Sequence, residues 1–238
     1  MKASESVALE ILRDIVAQKK KTGDQLPLES QMLTQYGVSR PSLREALRLL
    51  EFQGLITIRP GPGAGTVVGE SDPENLARTL VLFLHLNGAT YNELLETWSL
   101  TEPLLARRAA LNPDRALVER TMAPFIDAQE THCQPSNALE IGSNFHLQTG
   151  ILANNRVLAL ACHAIGSIAS TQVAVEVPTT APVRLLHDHS SIAMAIAQGD
   201  GDLAALLMSQ HVRHIIDTFK KSWPEKVGER RLDVSMLM

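Results

Sequence analysis

The chain has 238 residues, 45% of them apolar and 20% charged, which suits one large or two small domains and excludes a disordered chain. Its net charge of −4 is unevenly spread: residues 1–70 hold nine Lys and Arg against eight Asp and Glu, the remainder thirteen against eighteen. A mildly basic head on an acidic body fits nucleic-acid contact made by the head alone. Cys133 and Cys162 form no CxxC pair and imply no disulfide framework. The amphipathic, acid-bearing N-terminus is not a secretory signal, and the most apolar run, residues 80–86, is far too short to span a bilayer. A cytoplasmic protein without membrane contact is expected.

In chain order, residues 6–21 predict a helix, with Val7, Ala8, Ile11, Leu12 and Ile15 at helical spacing. Lys19, Lys20 and Lys21 would occupy its last turn, where cations suit the helix dipole, and Gly23 stops it. Pro27 opens a shorter helix that turns Met32 and Leu33 inward and ends at Tyr36 and Gly37; a tight inter-helix turn needs the permissive backbone of that glycine. Val38 becomes the buried turn residue. Ser39 caps a third helix that has Pro41 in its first turn and runs to Gln53, with Leu43, Ala46, Leu47 and Leu50 as its core stripe. Gly54 suits the position just past its end. Residues 55–59 alternate as a strand, 60–65 (PGPGAG) turn, and 66–68 return. Three helices and a two-stranded wing make a winged helix-turn-helix domain of residues 1–70.

Arg40, Arg44 and Arg48 recur every four residues on the third helix, drifting only about 40° per step, opposite the buried stripe. The planar guanidinium fork grips guanine O6 and N7 or a phosphate, and Arg40 and Arg44 lie near the helix start, the end that meets base edges. The bland alternative is a solvated face salted by Glu45 and Glu51; the turn, cap and wing favour DNA reading. Gly61, Gly63 and Gly65 might instead suggest a phosphate loop, but they lead into a strand, not a helix N-terminus.

From residue 73 the pattern predicts about seven helices, at 73–86, 91–111, 114–130, 137–153, 155–175, 182–198 and 202–222, with short breaks between them. The expected fold is therefore mainly α: the winged helix-turn-helix, then an antiparallel all-α bundle over 71–223 for effector sensing and dimerisation, then a fraying tail over 224–238. Pro103 and Pro124 fall inside two of the helices. His146, His189 and His211 sit on apolar stretches of three different helices. A lone histidine there is ordinarily a hydrogen-bonded core residue, but three facing imidazoles can hold a divalent metal. His187 and His189, two apart, cannot both face inward. His85, His132, His163 and His214 have no spacing argument.

The run GDQLPLESQMLTQYGVSRPSLREALRLLEFQGLI, followed by a GxG and a valine pair, resembles the winged-helix domain of the GntR family of bacterial repressors over residues 8–68. The resemblance implies that Arg40 and Arg44 contact operator bases and phosphates, with Ser39 and Ser42 beside them, and that the wing tip with Gly61 and Gly63 approaches the minor groove. Arg48, further from the helix start, is expected on a phosphate. Two departures stand out: Ser30 occupies a position where the family usually has a DNA-touching arginine, and the wing tip is two residues longer than common. Glu102-Pro103, Phe145-His146, Asn155, the run HDHSSIAMAIAQGD and a histidine eleven residues after Asp200 resemble the ligand-sensing FCD domain of the FadR subfamily, over about 75–222. That resemblance implies a divalent metal, expected to be zinc, on His146, His189 and His211, and a small carboxylate effector beside it. The usual aspartate ligand position is Gly142, and Trp98 stands where a carboxylate-gripping arginine is common, four residues before Glu102. Trp98 and Glu102 are the expected effector-pocket residues, and the two losses favour a less acidic or bulkier organic acid or related metabolite.

The reading that follows is a ligand-responsive transcriptional repressor, not an enzyme, binding palindromic double-stranded operator DNA as a homodimer and released by a small-molecule effector. The alternatives are a metal-dependent enzyme, against which stands the lack of an HExxH or other ligand-plus-base motif, and an architectural DNA-binding protein that needs no effector.

Overall fold

The structure, a computed structural model, describes residues 2–59, 65–70, 73–126, 138–174, 182–224, 230–232 and 234, with their side chains except those at 138–143, 172–174, 182–187 and 222. The chain divides into two compact units, residues 1–76 and 77–238. In the first, α1 (Ala3–Ala17), α2 (Glu29–Tyr36) and α3 (Arg40–Phe52) are followed by strands β1 (Ile56–Ile58) and β2 (Thr66–Val68). The strands pair antiparallel, Ile56 opposite Val68 and Ile58 opposite Thr66. Val7, Ala8 and Ile11 of α1, Met32 of α2, the stripe Leu43, Ala46, Leu47 and Leu50 of α3, and Ile56 bury one another in a single core. Each large side chain so buried contributes about 1.5–3 kcal/mol. Asp14 ties α1 to the end of α2, accepting from the Tyr36 hydroxyl at 2.8 Å and the Gln35 amide at 2.6 Å. Burial and that carboxylate push the Tyr36 hydroxyl above its ordinary range.

The predicted extent of the first helix needs correction. It ends at Ala17, Lys19 adopts a left-handed φ of 53°, and the three lysines lie past the helix rather than in its last turn. The cause is a pairing the sequence pattern does not announce. Gly23 N–H donates to Val68, Val68 N–H to Asp24 and Leu26 N–H to Thr66, and Gln25 bridges Val67, so the connection must leave the helix early to run beside β2.

Among the described residues from 73 onward seven helices follow: α4 (Pro73–Leu86), α5 (Tyr91–Ala110), α6 (Arg115–Ile126), α7 (Ala138–Leu152), α8 (Arg156–Ala174), α9 (Pro182–Gln198) and α10 (Gly201–Ser222). A mainly α fold with a small antiparallel wing is thus what the structure shows. Thr90 opens α5 with a reciprocal cap, its hydroxyl accepting from Glu93 N–H while the Glu93 carboxylate accepts from Thr90 N–H. Asp200 caps α10 through Leu203 N–H. The long α5 is central, packing on α7, α8, α9 and α10, and α6 packs on α9. Arg115 donates to the carbonyls of Ala110, Ile196 and Ala197, gathering the ends of α5 and α9 around one cation. Among the described residues no helix is long and apolar enough to cross a membrane.

The tail is not uniformly frayed as predicted. Arg231 bridges Thr90, Tyr91 N–H donates to the Arg230 carbonyl, Leu232 N–H donates to Ala89, and the Leu232 carbonyl lies 2.6 Å from His85 Nδ1. Leu232 is 1% exposed, within the core that holds Tyr91 and Phe219. One leucine and three main-chain groups hold this segment, an anchor too short to register as periodicity.

Candidate functional site

In the first unit the turn between α2 and α3 is made by Gly37, with a φ of 61°, which a side chain would strain. Ser39 then caps α3, its hydroxyl facing Ser42 N–H at 3.5 Å and the Ser42 hydroxyl at 3.0 Å. Because the apolar stripe of α3 faces the core, Arg40, Arg44 and Arg48 are all exposed. Ser39 is exposed beside them and Ser42 half-buried. Arg44 meets Glu29 of α2 at 3.7 Å, a surface pair worth about 0–1 kcal/mol and readily exchanged for a stronger acceptor. Glu51 is engaged elsewhere, accepting from Ile58 N–H at 3.1 Å. Among the described residues neither Glu45 nor Glu51 makes an ion pair with these arginines. Gly61 and Gly63 lie outside the described residues. Arg59, at the end of β1 and exposed, is a further cation on this unit that the helix-based reading passed over; its place beside the glycine-rich turn is the signal that could have found it.

In the second unit His146 of α7, His189 of α9 and His211 of α10 converge, each offering a ring nitrogen within 4.8 Å of the others. His189 Nε2 and His211 Nε2 are 3.0 Å apart, and the His146 ring lies 5.3 Å from that of His189 and 5.6 Å from that of His211. Phe145 stacks on His189 at 4.3 Å. His189 and His211 are buried and His146 half-buried. Burial, and then the neighbouring imidazoles, hold His189 well below the ordinary histidine range; burial also lowers His211, against the pull of Asp188. Both shifts favour the neutral form of these two rings, the form that can lend a lone pair to a metal.

The outer shell is acidic. Glu102 of α5, itself buried, accepts from His146 Nδ1 at 2.7 Å, and Asp188 lies 3.3 Å from His211 Nδ1. A carboxylate has only lone pairs to give, so His146 and His211 each carry a proton on Nδ1, and the bare His211 Nε2 accepts from His189 Nε2. His189 Nδ1 is buried without a hydrogen-bond partner among the described residues. Three nitrogen donors, two of them oriented by carboxylates, are what a divalent cation of the zinc class takes, with one position left for another ligand. Gly142, one turn before His146, has no side chain to supply a fourth.

The structure thus brings together the three predicted histidines with Glu102 and, through Glu102, Trp98, whose indole Nε1 donates to that carboxylate at 3.3 Å. Asp188 escaped the sequence reading although it sits between His187 and His189; an acid beside a candidate ligand was the available signal. His132 and Cys133 lie outside the described residues, as does the side chain of His187. Cys162 is a free thiol, buried and raised by that burial.

Comparisons with known proteins divide along the same line as the two units. Residues 3–68 match the description "Bacterial regulatory proteins, gntR family", and residues 93–214 match the FCD domain. The chain is 28% identical over 235 residues to the HTH-type transcriptional repressor NanR of Citrobacter rodentium, covering 92% of this chain and 85% of that one. It is likewise 28% identical to the NanR repressor of Salmonella typhimurium, over 92% of this chain and 84% of the relative. Among solved structures, Streptococcus agalactiae GntR aligns with a TM-score of 0.64 at 21% identity, covering 90% of this chain and 99% of that chain, a likeness of fold.

Proposed function

This chain belongs to the GntR family of bacterial regulatory proteins and carries an FCD domain, and from that premise we propose that it represses transcription as a dimer on a palindromic operator and lets go when an organic acid or related metabolite binds. That it is a ligand-responsive transcriptional regulator rather than an enzyme follows from the family. The winged helix-turn-helix binds DNA, and the FCD domain takes a small-molecule effector.

One observation carries the finer reading: the two units present opposite kinds of site, arginines held out to solvent on α3 and imidazoles gathered out of solvent in the bundle. Residues 1–70 are the DNA-binding domain and 71–223 the sensing and dimerising one. Arg40 and Arg44 read bases and phosphates with Ser39 and Ser42, Arg48 holds a phosphate, and Gly61 and Gly63 carry the wing into the minor groove. With Ser30 in place of a cation, more of the sequence reading falls on Arg40 and Arg44. His146, His189 and His211 hold zinc, which supplies a positive centre for an oxygen of the effector when bound. Trp98 and Glu102 wall the pocket. Effector binding favours a conformation of the dimer with weaker operator affinity.

The test begins with binding sites selected from random duplexes, followed by fluorescence anisotropy at fixed salt. Arg44→Ala is expected to weaken the selected site by roughly 10- to 100-fold for each half-site while leaving the oligomeric state unchanged. Equal affinity of wild type and variant would rule out the assignment of α3 as the reading helix.

A further inference from the structure

Four helices meet at the histidine cluster, and the one that brings no imidazole, α5, brings Trp98 and Glu102 instead. Glu102 is 2% exposed and each of its oxygens is taken: Oε2 by His146 Nδ1 at 2.7 Å and Oε1 by Trp98 Nε1 at 3.3 Å. Trp98 is 4% exposed, one turn before Glu102 on the same helix, and its ring lies 6.2 Å from that of His146. Opposite the pair stands Gly166 of α8. A methyl group there would lie 3.4 Å from Glu102 Oε1 and 3.5 Å from Trp98 Nε1, so at this point α8 offers the two polar atoms no side chain at all.

A buried carboxylate held by one oxygen can swing about its last torsion, a broad rotor. Held by both, it cannot. The indole N–H, a donor with no acceptor function, is the group that fixes the second oxygen here. The direction in which His146 presents Nε2 follows from the plane of the Glu102 carboxylate, because the ring donates its other nitrogen to that carboxylate.

We propose that Trp98 is a positioning residue of the metal centre: through Glu102 it fixes the orientation of His146 and so tunes metal affinity without touching the ion. This rests on the zinc reading above and deepens it, giving Trp98 a role toward the metal in addition to walling the pocket.

The experiment uses the full chain, stripped with a chelator and titrated with Zn(II) against a chromophoric competitor, with Co(II) absorption as a second readout. Glu102→Gln is expected to weaken zinc by about 10- to 100-fold, the usual cost of losing an outer-shell partner. Trp98→Phe, which keeps an aromatic ring and loses the N–H, is expected to weaken it by roughly 5- to 10-fold, below that range, and to shift the Co(II) bands. The two effects should not add: in the Glu102→Gln background, Trp98→Phe should change zinc affinity no further. Unchanged zinc affinity in Trp98→Phe, or simple additivity in the double variant, overturns the proposal. Should Trp98→Phe fail to fold, the Trp223→Phe chain leaves Trp98 as its one indole; its emission is expected to change on zinc addition, and a constant emission with zinc bound overturns the proposal equally. A wild-type chain that takes up no zinc overturns the metal reading itself, an outcome distinct from zinc uptake that ignores Trp98.

Discussion

In the head, the three arginines assigned to DNA are neighbours on one helix, exposed, and contribute nothing to the core beneath them. In the bundle, the residues assigned to metal arrive on three helices, and two of them are as buried as the leucines around them. The difference separates function from stability in one unit and joins them in the other. An arginine on α3 can be removed without the head noticing, whereas His189, stacked on Phe145 and 5% exposed, is both ligand candidate and core.

The strongest way to break this contrast is to attack the head's core. Leu47 is 1% exposed among the α1 and α3 side chains, and Leu47→Ala is expected to cost about 2–5 kcal/mol and to abolish operator binding. Because the bundle has its own core, zinc uptake by the full-length variant should persist; its loss would mean that the units do not stand on separate cores.

A smaller effect comes from pH. In metal-free protein His189 and His211 remain neutral while the unfolded chain begins to protonate them below about pH 6.5. Their folded ranges are depressed, so full stability is present above that pH. It is lost as pH falls toward the folded range, by up to about 1.4 kcal/mol per pH unit for each histidine. The first histidine in the chain is His85, so the head should be indifferent to this window. Trp98 and Trp223 both lie in the second unit and report its denaturant midpoint, while far-UV circular dichroism follows both units. Equal losses in head and bundle between about pH 7.5 and 5.5 would erase the contrast.

The mildest test sharpens it. Ser39→Ala removes the cap of α3 and is expected to cost about 0.5–2 kcal/mol in head stability. Anisotropy should show a loss of operator affinity as well, because this serine is placed at the DNA face; a stability loss with unchanged affinity would leave Ser39 as a cap alone.

The fold of the head was legible because its signals are local: a glycine turn, a serine cap, and an apolar stripe that leaves a four-residue arginine repeat outside. The end of α1 was not legible in this way, because residues 23–26 pair with β2, which lies far along the chain and leaves no mark on helical periodicity. The bundle's helices were legible from their breaks, at Asn87-Gly88 and around Asp200 above all. Its chemistry was half legible. Spacing nominated the three histidines, but that Glu102 holds His146 rather than simply facing a pocket depends on two helices meeting 44 residues apart in sequence. Asp188 was hidden by the histidines on either side of it.

The strap of residues 230–232 has a consequence for hydrogen exchange. The first amides of a helix have no carbonyl within the helix to bond, and in α5 the Tyr91 amide is served by Arg230 from the far end of the second unit. Closing so long a loop adds only about 0.6 kcal/mol per doubling of its length, but the closure has to wait until the helices between are in place. The protection of that single amide therefore times the docking and release of the strap, separately from the unfolding of the helix to which it belongs.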